Sequence, residues 1–227
     1  MLFAEGVPNA AAAHLSLMLG IRGACQTIIG SRTAGLDALR LASLRIATGQ
    51  WDRAIVSAGE EYSDIVNRGY AVCNLYNPRG GGSPFAEATG YSVGCGAVTL
   101  VLESPSSAER RNARVRGVVS NTVAVRIDRD DKLSNAVNSL SRLGSAPQTF
   151  TSANATWVDR FETTAIDKST GSTVIDTLYG KWPELYSIGP LAAIAAGLLA
   201  ASATETFNVL STGYAGTFAA ARISRSR

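Results

Sequence analysis

The sequence predicts an α/β fold in which layers of sheet and helix are repeated in two halves. Apolar runs typical of buried strands alternate with helical patterns, and the same order recurs after residue 112. Charged residues make up 17% of the chain and hydrophobic residues 46%. Because about a quarter of the residues in a globular protein are usually charged, this composition indicates a large buried core and favours a covered interface.

The first half contains two predicted helices and two predicted strands. The segments Asn9–Leu19 and Thr33–Thr48 have helical patterns, and Gly49 ends the second helix. The short apolar runs Ala24–Gly30 and Ala54–Ala58 are typical of buried strands. Two apolar strands joined by a helix indicate a parallel sheet that helices cover on both faces.

A long strand, Gly90–Glu103, precedes the polar segment Ser104–Asn112, which we interpret as a linker. We therefore predict an N-terminal half over residues 1–105 and a C-terminal half over residues 113–227. The predicted elements of the second half are strands at Ala113–Thr122, Gln148–Ala153 and Phe218–Ser224 and helices at Leu133–Leu143, Val158–Lys168 and Pro190–Ala201. The repeated order indicates an internal structural duplication.

Composition excludes several classes of function. The net charge is +3 and no dense run of Lys or Arg occurs, so nucleic acid is not an expected partner. One histidine and three widely spaced cysteines predict neither a metal site nor a disulfide framework, and we expect no cofactor and a cytoplasmic location. No signal peptide is evident, and the apolar stretch Gly189–Ser202 is too short for a membrane span and predicts a buried helix.

Five segments carry a resemblance to one family. They are TAGLDALRLASLRIATGQWDRAIVSAGEE (33–61), SPFAEATGYSVGCGAVTLVLE (83–103), DRFETTAI (159–166), SIGPLAAIAAGLLAA (187–201) and STGYAGTFAAARI (211–223). In this order they resemble conserved blocks of the β-ketoacyl synthases, which have the thiolase fold. The resemblance implies a duplicated, layered α/β fold for this chain.

The family needs a cysteine nucleophile at the start of a helix, assisted by two histidines and a lysine. By the resemblance, the cysteine position is Arg32, the histidine positions are Thr151 and Pro190, and the lysine position is Leu185. Lys181 is too far upstream to take the lysine position. An arginine is a permanent cation without nucleophilic character, so we expect no catalytic residues and no condensation by this chain alone.

The run RTAGLDA (32–38) resembles the Q-A-G-G-L-D-A context of chain-length factors, the catalytically silent subunits of type II polyketide synthases. That resemblance implies a heterodimer with an active ketosynthase subunit, supplied by an acyl carrier protein. The chain would then be part of a 3-oxoacyl-[acyl-carrier-protein] synthase, an acyltransferase complex. It would shape the acyl tunnel for polyketide, polyene or fatty-acid-like chain elongation.

The resemblance also implies pocket and interface residues. The candidates for the pocket or tunnel are Arg32, Gly213, Tyr214 and Gly216, and relatives carry phenylalanine where Tyr214 stands. A simple tight turn is the alternative interpretation of that glycine-rich segment. In the family the strand at Ala24–Gly30 pairs with its counterpart across a dimer axis. The implied interface residues are Gln26, Thr27, Ile28 and Ile29.

Several alternatives stay open at the sequence level. Arg32 is expected either to pair with an acidic side chain or to hold a carboxylate or phosphate. A divergent acyltransferase or hydrolase would use Ser31 or Cys25, although Cys25, like Cys95, is expected to be buried by packing. Asp159 and Glu162 are expected to form a solvated surface pair.

Only 23 residues precede Ala24, too few for the two β-α units with which the thiolase fold begins. The N-terminal half is therefore predicted to be incomplete, through truncation, a misplaced start or a gap that a partner fills. A decayed ketosynthase remnant is a further interpretation.

Overall fold

The computed structural model describes residues 9–30, 32–86, 88–127, 131–169, 171–172, 174–200 and 205–226. Contacts divide the chain into two compact units, Met1–Gly30 and Ser31–Arg227. The first unit contains helix α1 (Ala10–Met18), and its described residues after Met18 form no regular element.

The second unit contains the remaining six helices and all seven strands of the described residues. The helices are α2 (Ala34–Ala47), α3 (Asp64–Val72), α4 (Pro105–Arg110), α5 (Lys132–Leu143), α6 (Trp157–Asp167) and α7 (Ile188–Leu199). The strands are β1 (Arg53–Glu60), β2 (Gly96–Glu103), β3 (Gly117–Arg126), β4 (Gln148–Thr151), β5 (Val174–Thr177), β6 (Thr206–Gly213) and β7 (Thr217–Arg225).

The strands form two sheets. Strands β1 and β2 form an antiparallel pair, in register from Arg53 opposite Glu103 to Glu60 opposite Gly96. The other sheet has the order β3-β7-β6-β4-β5, in which β4 is parallel to both of its neighbours and the remaining pairs are antiparallel. The architecture is therefore mixed α/β.

Helices α2 and α7 lie between the two sheets, since both contact β1 and β2 on one side and strands of the larger sheet on the other. Their apolar residues, among them Leu39 and Leu191, pack with Val56 and Phe207 in one buried core. Helices α5 and α6 cover the opposite face of the larger sheet through a second core, which includes Leu140. The second unit is consequently built as sheet, helices, sheet and helices.

A glycine sets the distance between the two central helices. A Cβ atom on Gly35 in α2 would lie 2.2 Å from the backbone oxygen of Ser187, the residue before α7. Only glycine allows so close an approach. The contact brings the start of α2, where Arg32 lies, close to the segment that leads into α7.

The helices predicted from periodicity are confirmed to within two residues for α1, α2, α5, α6 and α7, and α7 is largely buried as expected. Strand Ala54–Ala58 is confirmed inside β1, and the predictions at β4 and β7 are confirmed with small shifts. Within the described residues, no helix has the length and apolarity that crossing a membrane requires.

The predicted strand at Ala24–Gly30 is wrong. These residues have no regular structure and are exposed, with Ile29 at 77%. Neither sheet of the described residues includes them. A strand needs a neighbour for its backbone hydrogen bonds, so an apolar run alone does not produce one.

The predicted parallel sheet in the first half is also wrong, because β1 pairs antiparallel with β2. The strand expected to start at Gly90 begins at Gly96, and the strand expected at Ala113–Thr122 spans Gly117–Arg126. Strands β5 and β6 and helix α3 have no counterpart among the predicted elements.

The segment predicted as a linker contains α4. Ser104 caps this helix by accepting a hydrogen bond from Ser107 N, and Pro105 occupies its first turn. Cys25 and Cys95 are exposed, contrary to the expected burial. Both lie where the expected strands did not form, so no neighbouring strand covers them.

Candidate functional site

The candidate site is a buried group of polar side chains around the start of α2, which we call the arginine cluster. Its members are Arg32, Ser152, Asn154, Glu162, Glu184, Thr212 and Tyr214. They come from the N-terminus of α2, the segment after β4, helix α6, the segment before α7 and the end of β6. Packing of α2 and α7 between the sheets brings these segments together.

Arg32 is buried, with 2% of its side chain exposed. Its Nη2 atom lies 2.9 Å from Oε2 of Glu184, and its Nε atom donates to Oε1 at 3.3 Å. Nη1 donates to the Thr212 carbonyl at 2.9 Å, and Nη2 also donates to the Ser152 carbonyl. The guanidinium therefore has an acceptor on each of its three nitrogens.

The ring of Tyr214 packs against the same guanidinium, whose central carbon is 5.0 Å from the ring centroid. Burial by itself would lower the pKa of Arg32, but the charges of Glu184, Tyr214 and Glu162 and the hydrogen bond to Glu184 together outweigh it and raise the pKa above its ordinary value. The side chain consequently stays a cation at every pH at which the protein is folded. It has no lone pair for nucleophilic attack.

Glu184 is the counter-charge of the cluster and is also buried. Besides the two arginine nitrogens, its carboxylate accepts hydrogen bonds from Tyr186 N at 2.7 Å and from Asn154 Nδ2. Asn154 Nδ2 also donates to the Tyr214 hydroxyl at 2.7 Å. All of these hydrogen-bond partners are donors, as the acceptor oxygens of a carboxylate require.

Glu162 is a second buried carboxylate of the cluster and contacts Ser152 and Thr212. It accepts hydrogen bonds from Ser152 N at 2.7 Å, from Ser152 Oγ at 2.6 Å and from Thr212 Oγ1 at 2.6 Å. Burial raises the pKa of Glu162 above its ordinary value, although these bonds and the charge of Arg32 act in the opposite direction. Glu162 thus holds in place the two residues whose carbonyls bind Arg32.

Asp159 is buried as well, so the expected surface pair of Asp159 and Glu162 is wrong. Its carboxylate accepts hydrogen bonds from the backbone N–H groups of Asn154, Ala155 and Phe85. Ala155 and Phe85 have positive φ values of 62° and 65°. Asp159 therefore stabilises two backbone conformations that side-chain-bearing residues rarely adopt.

Tyr214 of the arginine cluster packs together with three further tyrosines, Tyr70, Tyr91 and Tyr186. The Tyr91 and Tyr214 rings are stacked with an interplanar angle of 7°. Burial raises the pKa of all four phenols. The cavity beside Arg32 has a volume of about 40 Å³, room for about one water molecule.

The structure places the residues inferred from the resemblance as follows. Thr151, Leu185 and Pro190 line the cavity beside Arg32, so the inferred cysteine, histidine and lysine positions converge. Gly213 ends β6, and Tyr214 and Gly216 lie in the turn to β7, where Gly216 has a φ of 77°. Lys181 is exposed and is absent from the residues that line this cavity.

The candidates for nucleophile and interface lie elsewhere. Ser31 is outside the described residues, and Cys25 is exposed in the first unit. Gln26, Thr27, Ile28 and Ile29 are exposed and lie outside any strand. Within the described part of the chain, no three His, Cys, Asp or Glu side chains are placed to hold a metal ion.

Sequence reasoning found Tyr214 but missed Glu184, Asn154 and the three tyrosines Tyr70, Tyr91 and Tyr186. Glu184 directly precedes Leu185, the inferred lysine position, so a search for an acidic residue near that position would have found it. These three tyrosines carry no comparable signal, because they come from separate segments that only the fold brings together.

Comparison with known proteins finds similar sequences and structures. Residues 1–108 match the family model described as Beta-ketoacyl synthase, N-terminal domain. A protein of Streptomyces coelicolor named "Putative polyketide beta-ketoacyl synthase 2" is 30% identical over 121 residues, which are 51% of this chain and 28% of that protein. The alignment thus spans well under half of the relative's length.

Solved structures extend the likeness to nearly the whole chain. A beta-ketoacyl synthase from Burkholderia phymatum is 18% identical with a TM-score of 0.86, covering 99% of this chain and 67% of that one. A ketosynthase from module 6 of the Bacillus subtilis bacillaene synthase has 15% identity and a TM-score of 0.84, covering 98% of this chain and 50% of that one.

A third similar structure is that of a type II polyketide synthase acyl-carrier protein in complex with its ketosynthase, bound to the hexaketide. Its matching chain is 16% identical with a TM-score of 0.87, and the match covers 99% of this chain and 68% of that one. The predicted thiolase-like α/β fold is thereby confirmed. These likenesses show that the chain has the fold of the ketosynthases.

Proposed function

We propose that this chain is a non-catalytic, chain-length-factor-like subunit that pairs with an active β-ketoacyl synthase. One observation carries the proposal: at the position inferred for the nucleophile, Arg32 is buried and paired with Glu184. A guanidinium with a raised pKa neither attacks a thioester nor accepts a proton. The residues at the inferred histidine and lysine positions, Thr151, Pro190 and Leu185, also carry neither an imidazole nor an amine.

The size of the cavity supports the same function. A volume of about 40 Å³ beside Arg32 is comparable to the space of a single water molecule and holds no acyl chain. The subunit would therefore influence the acyl tunnel through the surface that it presents to its partner. Gly213, Tyr214 and Gly216 stay candidates for such an influence, and Gln26, Thr27, Ile28 and Ile29 stay candidates for the interface.

The expected partners are an active ketosynthase and an acyl carrier protein. A structurally similar ketosynthase is bound to its acyl-carrier protein in a type II polyketide synthase, which supports this expectation. We therefore infer a role in type II polyketide, polyene or fatty-acid-like chain elongation.

Co-expression with an active type II ketosynthase from the source organism, followed by size-exclusion chromatography, tests the pairing. We expect one co-eluting heterodimer; a chain that always elutes separately, or that is insoluble with or without the ketosynthase, would contradict the proposal. Insolubility in both cases would favour a decayed remnant.

Incubation of the complex with an acyl-carrier thioester, followed by intact mass spectrometry, tests the chemistry. We expect an acyl adduct on the ketosynthase and none on this chain, with the isolated ketosynthase as the control. An adduct on Ser31 or Cys25 would overturn the proposal in favour of an acyltransferase or hydrolase.

A further inference from the structure

A second, larger cavity lies next to the one beside Arg32. It is an open groove of about 530 Å³ between the loop Gly81–Pro84, Ser92 and the turn Tyr179–Pro183, which we call the Trp182 groove. Small-molecule sites commonly have volumes of about 300–1,000 Å³. The groove shares Tyr179 and Pro183 with the cavity beside Arg32 but contains none of the charged residues of the arginine cluster.

The walls of the groove are held by specific contacts. The Tyr179 hydroxyl accepts a hydrogen bond from Ser92 N at 2.9 Å. A Cβ atom on Gly81 would lie 1.7 Å from that hydroxyl, so glycine is required for the loop to lie against the ring. Backbone hydrogen bonds from Lys181 N and Trp182 N to the Leu178 carbonyl close the opposite turn. The groove is therefore preformed.

The charge of the groove is positive. Lys181 is the charged residue among those that line it, and none of the ion pairs found in the described residues involves Lys181. The backbone N–H groups of Gly81 and Ser83 donate no hydrogen bond to any of the described residues. A cation and free N–H donors on one groove favour an anionic ligand group.

The rest of the lining suits an apolar body. Trp182 is 48% exposed, so much of its indole is available for contact. Pro84 and Pro183 add apolar surface to the lining. Aromatic and proline surfaces bind a ligand through burial of apolar area, which an inorganic anion does not offer.

We propose that the Trp182 groove binds an organic anion, a phosphate monoester or carboxylate carried on an extended apolar body. Lys181 and the free N–H groups would bind the anionic group, and Trp182 would pack against the body. This inference does not depend on the proposed silent-subunit function.

Isothermal titration of the full chain with four probes tests the proposal. The probes are octyl phosphate, octanoate, octanol and inorganic phosphate. We expect octyl phosphate or octanoate to bind with a Kd below about 1 mM, and octanol and inorganic phosphate to bind at least about tenfold more weakly, ~1.4 kcal/mol. Whichever of octyl phosphate and octanoate binds more tightly shows whether the groove prefers a phosphate or a carboxylate.

Variants then assign the binding to the groove. Lys181→Met is expected to weaken binding of the tighter-binding anion about tenfold, and Lys181→Arg is expected to retain that binding. Trp182→Ala is expected to weaken binding of the same anion as well. Lys132→Met, which removes an exposed lysine at the start of α5, is the matched control and is expected to change nothing. Absence of binding by both amphiphilic anions, or equal losses for Lys181→Met and Lys132→Met, would overturn the proposal.

Discussion

Arg32 Nη2 lies 2.9 Å from Oε2 of Glu184, and no more than 5% of either side chain is exposed. A cation at the N-terminus of a helix faces the positive end of the helix dipole, and burial adds a desolvation cost. Glu184 and two backbone carbonyls compensate for both effects. The position that the resemblance implies for the nucleophile is therefore occupied by one partner of a buried ion pair.

Replacing one partner of this pair should strongly destabilise the protein. Glu184→Gln leaves a buried, uncompensated guanidinium, and we expect the free energy of unfolding to fall by about 3–5 kcal/mol. The double variant Arg32→Met with Glu184→Met should lose less than the sum of the two single variants. Urea denaturation at neutral pH measures all three.

The exposed ion pair between Arg68 and Asp64 is the control for that experiment. Arg68→Gln should change the free energy of unfolding by less than about 1 kcal/mol, because water screens an exposed pair. A loss for Glu184→Gln as small as that for Arg68→Gln would mean that the buried pair does not stabilise the cluster.

Two glycine substitutions should have opposite effects on stability. Gly35→Ala places a methyl group 2.2 Å from the Ser187 carbonyl oxygen and should destabilise the protein by about 1–3 kcal/mol or more. Gly69→Ala lies within α3 with nothing within 4 Å and should stabilise it by about 0.5–1 kcal/mol. Thermal or urea unfolding measures the change in the free energy of unfolding for both variants. An equal change for Gly35→Ala and Gly69→Ala would show that the contact between α2 and α7 is not tight.

The raised pKa of Glu162 makes stability dependent on pH. The folded state favours the protonated carboxyl, so this contribution to stability is fully present below the unfolded-state pKa and is lost as pH rises through the folded-state pKa. Glu162→Gln has no such titration, so the free energy of unfolding of the variant minus that of the wild type should increase with pH. Urea titrations from acidic to neutral pH give the slope, and a flat difference would contradict the prediction.

The four clustered tyrosines should resist ionisation in the folded protein. Their pKa values are raised by burial, so the stability they contribute is present below the unfolded-state pKa and is lost above it. Near pH ~11 the tyrosinate absorbance of the native chain should fall short of that in urea, where all seven tyrosines titrate.

Tyr91→Phe is the check on that titration. It should lower the absorbance in urea and leave the native absorbance unchanged. A lower native absorbance in this variant would show that Tyr91 ionises in the folded state.

Local patterns predicted much of the architecture. The spacing of Leu36 and Leu39 gave the helix that became α2, and the glycine after it gave the end of that helix. The predictions of strand pairing were wrong where a strand depends on a partner that is distant in the sequence. The run Ala24–Gly30 is as apolar as a buried strand, yet no neighbour among the described residues pairs with it.

The candidate site shows the same division. The resemblance of five segments singled out Arg32, which the structure places in the buried arginine cluster. It gave no sign that Asp159 and Glu162 are buried, because helical spacing does not reveal which face packs against a polar neighbour. Their burial depends on the backbone N–H groups and hydroxyls that other segments supply.

By itself, the sequence determined that this chain has a layered α/β fold, and it singled out Arg32 as a residue of interest. Both depend on residue identity and on short-range periodicity. Only the tertiary structure decided that Glu184 neutralises Arg32, that Tyr214 packs together with three further tyrosines and that Lys181 lies in a separate groove. These contacts join residues far apart in the chain, and their geometry is set by the packing of α2 and α7 between two sheets.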